Sequence, residues 1–500
     1  MCLISEIAGI YMALDNNLIG LEQFNREYLF VIDFSVVVNI KSRNELNVLT
    51  EYILKNNIKV AVSREFYENY EVIIKSLNDE QILIAKMASM FLDSLDKNDC
   101  LLYMSDIVDS KEIVEKLNKN SKVCFLYYKN SEFSENVMCM KDTMNAKAIV
   151  VDENGELKIC TDVAKIMELS NTNINMSVID DDYFSTSFEP KEGAIVKTKA
   201  GETMKLGRQL GSGGEGAVYC CIEHPGYVVK IYHKGQLNKL RLKKIFMMEK
   251  KQIRYDGLCW PERVIFSEKR EPIGYMMKKI DGKSLDTVFD SDESLLKAFP
   301  NWTKQDSIKL AIDILQKIQY LHMFGILIGD LRLKNIVIDK TGTACLVDLD
   351  SCQVDNLPCP IGFPDFTPPE LQHVEFKKQL RSFYNESFSC SVLLFKILFC
   401  GLHPYDQKNG ADTIEEEISS KSFPYPQNVD GDFTKIPWGG YEGMWRHTPF
   451  QIQSFLYDIF KNGYRYNLQE MILMLKTYYQ FIDLKKETMP SLNNISFYYE

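Results

Sequence analysis

The sequence has little of what would take it outside the ordinary globular class. Only 16 of its 500 residues are proline, and there is no internal repeat or sustained low-complexity stretch, which excludes collagen-like and largely disordered chains. The thirteen cysteines are odd in number, scattered and never spaced as CxxC. Neither a disulfide scaffold nor a CxxC zinc or redox site is indicated, and a reduced, cytoplasmic setting is expected. Long hydrophobic runs are missing as well. The longest, from Val392 to Leu402, is interrupted by Lys396 and is too short to span a bilayer, so it reads as a buried helix. The first seventeen residues lack the basic start and small-residue cleavage site of a signal peptide, so no membrane association is expected. Positive charge is not in excess either: 58 Lys and Arg against 69 Asp and Glu give −11, which offers no basic footprint for nucleic acid.

What is present is a chain with 45% apolar and 25% charged residues, long enough for about three domains. The first part alternates strand-like and helical stretches. YLFVIDFSVVV (Tyr28 to Val38), IKVAVS (Ile58 to Ser63), KVCFLYY (Lys122 to Tyr128) and AKAIVVD (Ala146 to Asp152) read as strands, with helical spacing between them. That βαβ rhythm predicts an α/β domain with a mostly parallel sheet over residues 1–167. A polar stretch with Asp180 to Asp182 and Pro190 marks a linker over 168–192. Short strands follow over 193–280, then long helices over 281–485 and a tail over 486–500, which implies two further lobes.

The second half carries a set of groups suited to phosphate chemistry. Gly211, Gly213 and Gly216 form GxGxxG, with Val218 two residues later. Glycines let backbone N–H groups close over phosphates, although such turns also serve plain hairpins. Fourteen residues on, Lys230 ends an apolar strand, and Glu249 follows nineteen residues later in a helical stretch. Glu249 reads either as the ion-pair partner of Lys230 or as one surface acid in a basic helix. Downstream, Asp330 and Asn335 share a loop and Asp348 ends the next apolar run. An aspartate that accepts a hydroxyl proton, beside oxygen ligands for a divalent ion, is what phosphoryl transfer requires. Any one of these could be a turn residue. Their order along the chain makes coincidence a poor explanation.

From about Ala194 to Leu484 the chain resembles a eukaryotic-like Ser/Thr protein kinase, which implies a bilobal α+β fold. FTPPE (Phe366 to Glu370) resembles the end of the activation segment, and Glu386 stands where the family has Asp in its buried central helix. Arg465 is placed to pair with Glu370. The resemblance implies ATP and Mg²⁺ (or Mn²⁺) as cofactors and Asp330 as base, with Lys230 and Glu249 as phosphate clamp and Asn335 and Asp348 as metal ligands. Arg332 takes the place of a lysine near the transferred phosphate. Met277 would be the gatekeeper and Lys278 to Ile280 the hinge, with Lys279 against adenine. Two departures stand out. Gly329 replaces the arginine of His-Arg-Asp, and the only hydroxyl residues between Asp348 and Glu370 are Ser351 and Thr367; both argue against switching by loop phosphorylation. Asp350 replaces the glycine of Asp-Phe-Gly. These changes are similar to a bacterial branch of kinase-like proteins associated with tellurite-resistance and defence loci.

The N-terminal strand resembles the first strand of PIN-type nucleases. By that resemblance Asp33, Glu68 and either Asp106 or Asp109 would hold divalent metal, while a later acid is missing after KVCFLYY, where Lys129, Asn130 and Ser131 stand. The plain alternative is that Asp33 caps the next helix and the domain is a degenerate α/β sensor or docking module. The expectation is therefore an ATP-dependent kinase acting on a protein hydroxyl, the partner being unidentified and a small-molecule acceptor still open. The alternatives are a nucleotide-binding pseudokinase scaffold and a kinase-regulated nuclease; nucleic acid is expected as a partner only in the last case.

Overall fold

The computed structural model describes residues 20–41, 43–75, 79–107, 109–117, 121–140, 146–152, 154–160, 188–251, 253–427 and 431–488. Most of the expected linker and tail lies outside these. The chain divides into two compact units, one formed by residues 1–173 with 320–326 and the other by the rest. Among the described residues no helix is long and apolar enough to cross a membrane.

In the first unit six strands stand in the order β3-β2-β1-β4-β5-β6: β1 (Tyr28–Ile32), β2 (Lys59–Ser63), β3 (Leu101–Met104), β4 (Lys122–Tyr128), β5 (Ala146–Val151) and β6 (Leu157–Cys160). Only β6 runs antiparallel to its neighbour. The mostly parallel sheet matches the sequence reading, and β4 is buried along six of its seven residues, as a strand covered on both faces should be. One expected strand is shorter. The run from Tyr28 to Val38 leaves the sheet at Ile32, and Phe34–Asn39 form helix α1. The Asp33 carboxylate accepts the Ser35 N–H at 3.0 Å, which caps the helix and overrides the strand preference of Val36, Val37 and Val38. After β2 comes α2 (Arg64–Lys75), after β3 α3 (Ser110–Lys116), and after β4 α4 (Glu132–Met140).

The second unit begins with a closed barrel of six strands: β7 (Ile195–Thr198), β8 (Thr203–Ser212), β9 (Gly216–Cys221), β10 (Tyr227–Tyr232), β11 (Arg263–Phe266) and β12 (Pro272–Lys278). Helix α5 (Lys239–Lys251) lies between β10 and β11 in sequence. β10 pairs with β9 on one side and β12 on the other. Beyond the barrel the long helices α6 (Lys304–Met323), α7 (Phe383–Leu398) and α8 (Leu468–Thr488) dominate. The Val392–Leu402 run falls on α7 and just past it, and Val392, Leu393, Leu394, Phe395, Ile397 and Leu398 are all buried.

Candidate active site

The phosphate-side residues come from three local structures. The glycine hairpin joins β8 to β9, and Gly213 N–H donates to Gly216 O at 2.9 Å. A Cβ on Gly211 or Gly213 would meet open space, whereas one on Gly216 would lie 2.4 Å from Ile231 O. Close pairing with β10 is thus by itself enough to require glycine at 216. Val218 lies opposite Lys230 across the β9–β10 pair. It packs with Val228, Met277, Ile280 and Val347 in one apolar cluster. Met277 is buried there. The Lys279 N–H, however, donates to Gly226 O at 2.9 Å, so it is not available to a ligand.

Lys230 is 6% exposed, and its ammonium meets Asp348, Asp350 at 2.8 Å and Glu215 at 3.9 Å. Glu249 is not among its partners. The Glu249 carboxylate accepts the Val264 N–H at 3.0 Å, so the expected Lys230–Glu249 pair does not form. Burial opposes the charge on Lys230, but Asp350 and Asp348 more than offset it and hold the amine above its ordinary range. Burial alone would likewise raise Asp350, yet Lys230 and Arg241 hold its carboxyl well below the usual carboxylate range.

Asp330, Arg332 and Asn335 lie together on the loop after α6. Asn335 Nδ2 donates to Asp330 O and to Asp330 Oδ2, both at 3.0 Å. Arg332 approaches Oδ2 at 3.3 Å while its guanidinium lies 4.0 Å above the Phe363 ring. Burial pushes the Asp330 carboxyl up to about 6, against the pull of Arg332 and the Asn335 hydrogen bond. Its Oδ1 is buried with no hydrogen-bond partner, an orphan that a reacting group could satisfy. Asp348 follows in a left-handed conformation (φ 60°, ψ 37°), which its short polar side chain tolerates. One carboxylate oxygen each from Glu215, Asp348 and Asp350 lie within 4.8 Å of one another. The Lys230 ammonium meets all three and is the cation this set already holds, which leaves Asp348, the most exposed of them, as the one able to turn to a divalent ion.

The segment after Asp348 is fixed from several directions. Gly329 has φ 69°, and a Cβ there would lie 2.6 Å from Cys359 Cβ. Its N–H donates to Glu386 Oε1 at 2.8 Å. Arg381 donates to Cys359 O at 2.9 Å and Ile361 O at 2.5 Å. Arg465 meets Glu370 at 3.5 Å, as expected.

In the first unit the acids do not group as expected. Glu68 pairs with Arg64 at 3.7 Å, and Asp106 is exposed. Glu65, three residues earlier on α2, has its carboxyl raised well above the ordinary range by burial and by the charges of Asp109, Asp33 and Glu132. Asp33 is raised to about 6, chiefly by burial, with Asp109 adding to it. Asp109, Asp33 and Glu132 thus act on Glu65 through charge, but among the described residues these acids do not form a group close enough to hold a metal ion, and the expected set of Asp33, Glu68 and Asp106 or Asp109 is not assembled.

Residues 204–436 match the protein kinase domain family. Among curated relatives, Protein kinase YegI of Escherichia coli (strain K12) is 29% identical over 247 residues, covering 47% of this chain and 38% of that protein. Serine/threonine-protein kinase PknD of Chlamydia pneumoniae is 27% identical over 278 residues, 47% of this chain and 28% of its own. The cAMP-dependent protein kinase catalytic subunit of Arthrobotrys oligospora is 25% identical over 266 residues, 50% and 47% respectively. The chain thus spans well under half the length of the Escherichia coli and Chlamydia pneumoniae relatives. It carries a protein kinase domain, the kind of domain that uses ATP and a divalent metal.

Proposed function

We propose that the chain transfers the γ-phosphate of ATP to a hydroxyl of a protein acceptor. The observation that carries this reading is the convergence of four groups. Asp330 and Asn335 are hydrogen-bonded on one loop, while Lys230 pairs with Asp348 from the next turn. In this reading Asp330 orients the acceptor hydroxyl and takes its proton, and its orphaned Oδ1 is the atom for that task. Arg332 lends positive charge beside it. Lys230 steadies the nucleotide phosphates under the hairpin of Gly211 and Gly213. Met277 and Val218 border the adenine side, where the backbone of Lys278 and Ile280 is the candidate contact. Asn335 and Asp348 would hold the divalent ion, Mg²⁺ or Mn²⁺, which neutralises charge on the phosphates. Incubating the full chain with labelled ATP tests this: Asp348→Ala should abolish incorporation, by at least 100-fold. Unchanged labelling would sink the assignment, and nucleotide binding without transfer in the parent chain would favour the pseudokinase scaffold.

We assign the first unit to substrate docking or sensing. A second reading, a metal-dependent nuclease, is favoured by the nearness that lets the charges of Asp109, Asp33 and Glu132 raise the Glu65 carboxyl. Carboxylates that draw together around a divalent ion can use it to activate water. RNA cleavage in Mn²⁺ that is lost in Asp33→Ala would establish it; no cleavage leaves the docking role.

A further inference from the structure

If Lys230 is to steady phosphates, something must hold its amine in place, and in the resembling family that is an acid on the helix corresponding to α5. Here the geometry gives the task to another residue. Among the partners of Lys230, Asp348 is committed to the divalent ion in the proposed reaction. Glu215 belongs to the hairpin and is shared with Arg241 at 2.5 Å. Asp350 differs from both. It is fully buried, its Oδ1 accepts from Lys230 Nζ and Tyr275 Oη, both at 2.8 Å, and its Oδ2 accepts from Tyr232 Oη at 2.5 Å. These three donors share one sheet face for a simple reason. Tyr232 is two residues beyond Lys230 on β10, and Tyr275 lies directly across from Lys230 on β12. Together they form a socket that an ionised carboxylate, an acceptor only, satisfies. Helix α5 contributes the opposite sign: the buried Lys244 donates to Ser351 O, Cys352 O and Pro358 O at 2.8, 2.9 and 3.1 Å.

We infer that Asp350 is the positioning residue for Lys230, and that Lys244 grips the segment that carries it. The inference rests on the phosphotransfer reading for the task of Lys230. Asp350 and Asp348 stand on the same short turn, with 349–351 forming a 3₁₀ helix capped by Asp348. The lysine anchor and the metal acid therefore move together, and α5 acts through the turn instead of touching the lysine.

The full chain, Asp350→Asn, Tyr275→Phe and Glu249→Gln are compared in three ways. These are calorimetric titration with Mg·ATP, phosphorylation of core histones, and amide hydrogen exchange without nucleotide. Asp350→Asn keeps the shape and removes the charge. It should bind Mg·ATP about 10-fold more weakly and lose about 100-fold in kcat, with the KM for histone within about twofold. A general loss of structure would move both substrates. Tyr275→Phe, which removes one hydroxyl, should weaken Mg·ATP binding about threefold and keeps the test intact if Asp350→Asn does not fold. Glu249→Gln should stay within about twofold on every measure. Exchange over residues 348–354 should accelerate in Asp350→Asn and not in Glu249→Gln. The inference is overturned if Glu249→Gln falls as far as Asp350→Asn, or if Asp350→Asn and Tyr275→Phe match the parent in binding and exchange. A parent chain that transfers no phosphate overturns the kinase reading instead, and exchange still decides the role of Asp350.

Discussion

Asp330 sits between opposing influences, and its titration exposes them. Burial raises its carboxyl to about 6, and Arg332 and Asn335 pull it back only in part. Since the ionised form is the one that accepts a proton, kcat should rise as pH increases through about 6 and level off above it. A pH profile of labelled-phosphate transfer checks this, and Asp330→Asn should leave a residual rate at least about 100-fold lower that lacks this rise. At this scale the sequence was readable where partners are close in the chain. Asp330 and Asn335 are five residues apart, and the loop joins them without help from the fold. Lys230 and Asp350 are 120 residues apart, and Asp350 looked only like a lost glycine. The pairing of Tyr232 with Lys230 by alternation along β10 was the signal that could have revealed a polar socket.

Among elements, the stretch from Asp348 to Glu370 shows most clearly what replaces a phosphate. Gly329 leaves no arginine to read one, and the space beside it is taken by Cys359 and Arg381. Arg381 satisfies two carbonyls of this stretch, stacks 3.7 Å from the Phe376 ring, and exchanges backbone and side-chain hydrogen bonds with Gln353. All these acceptors are neutral and always present, so the stretch needs no modification to be held. Arg381→Met should leave Cys359 O without the arginine and Ile361 O with only the weak Cys359 thiol donor, and cost about 3 kcal/mol in urea unfolding, with a matching fall in transfer rate. Phosphatase treatment of the parent should change its rate by less than about twofold; a larger drop would show that a phosphate is read after all. The order of strands and helices was legible from periodicity, but the extent of α1 was not, although Asp33 was read as a possible helix cap. Its valines favour a strand, and a single capping carboxylate reverses the outcome.

At the scale of the whole molecule, the acidic chain resolves into an α/β unit and a kinase-domain unit. Length allowed the division, the βαβ rhythm and the polar stretch after it placed the boundary, and motif order located the second unit. The matched region begins at residue 204, but the barrel begins earlier, at β7. Residues 195–197 pair with 203–205, and 197–198 pair with 265–266. Cutting the chain at the start of the match would remove this one strand. The barrel would open between β8 and β11 and leave two rows of unpaired backbone groups, a template for association between copies. A fragment starting at Phe188 should elute as a single species in size-exclusion chromatography. One starting at Met204 should melt several degrees lower and form higher assemblies, so the four residues of β7 act as a seam that keeps the sheet from recruiting neighbours.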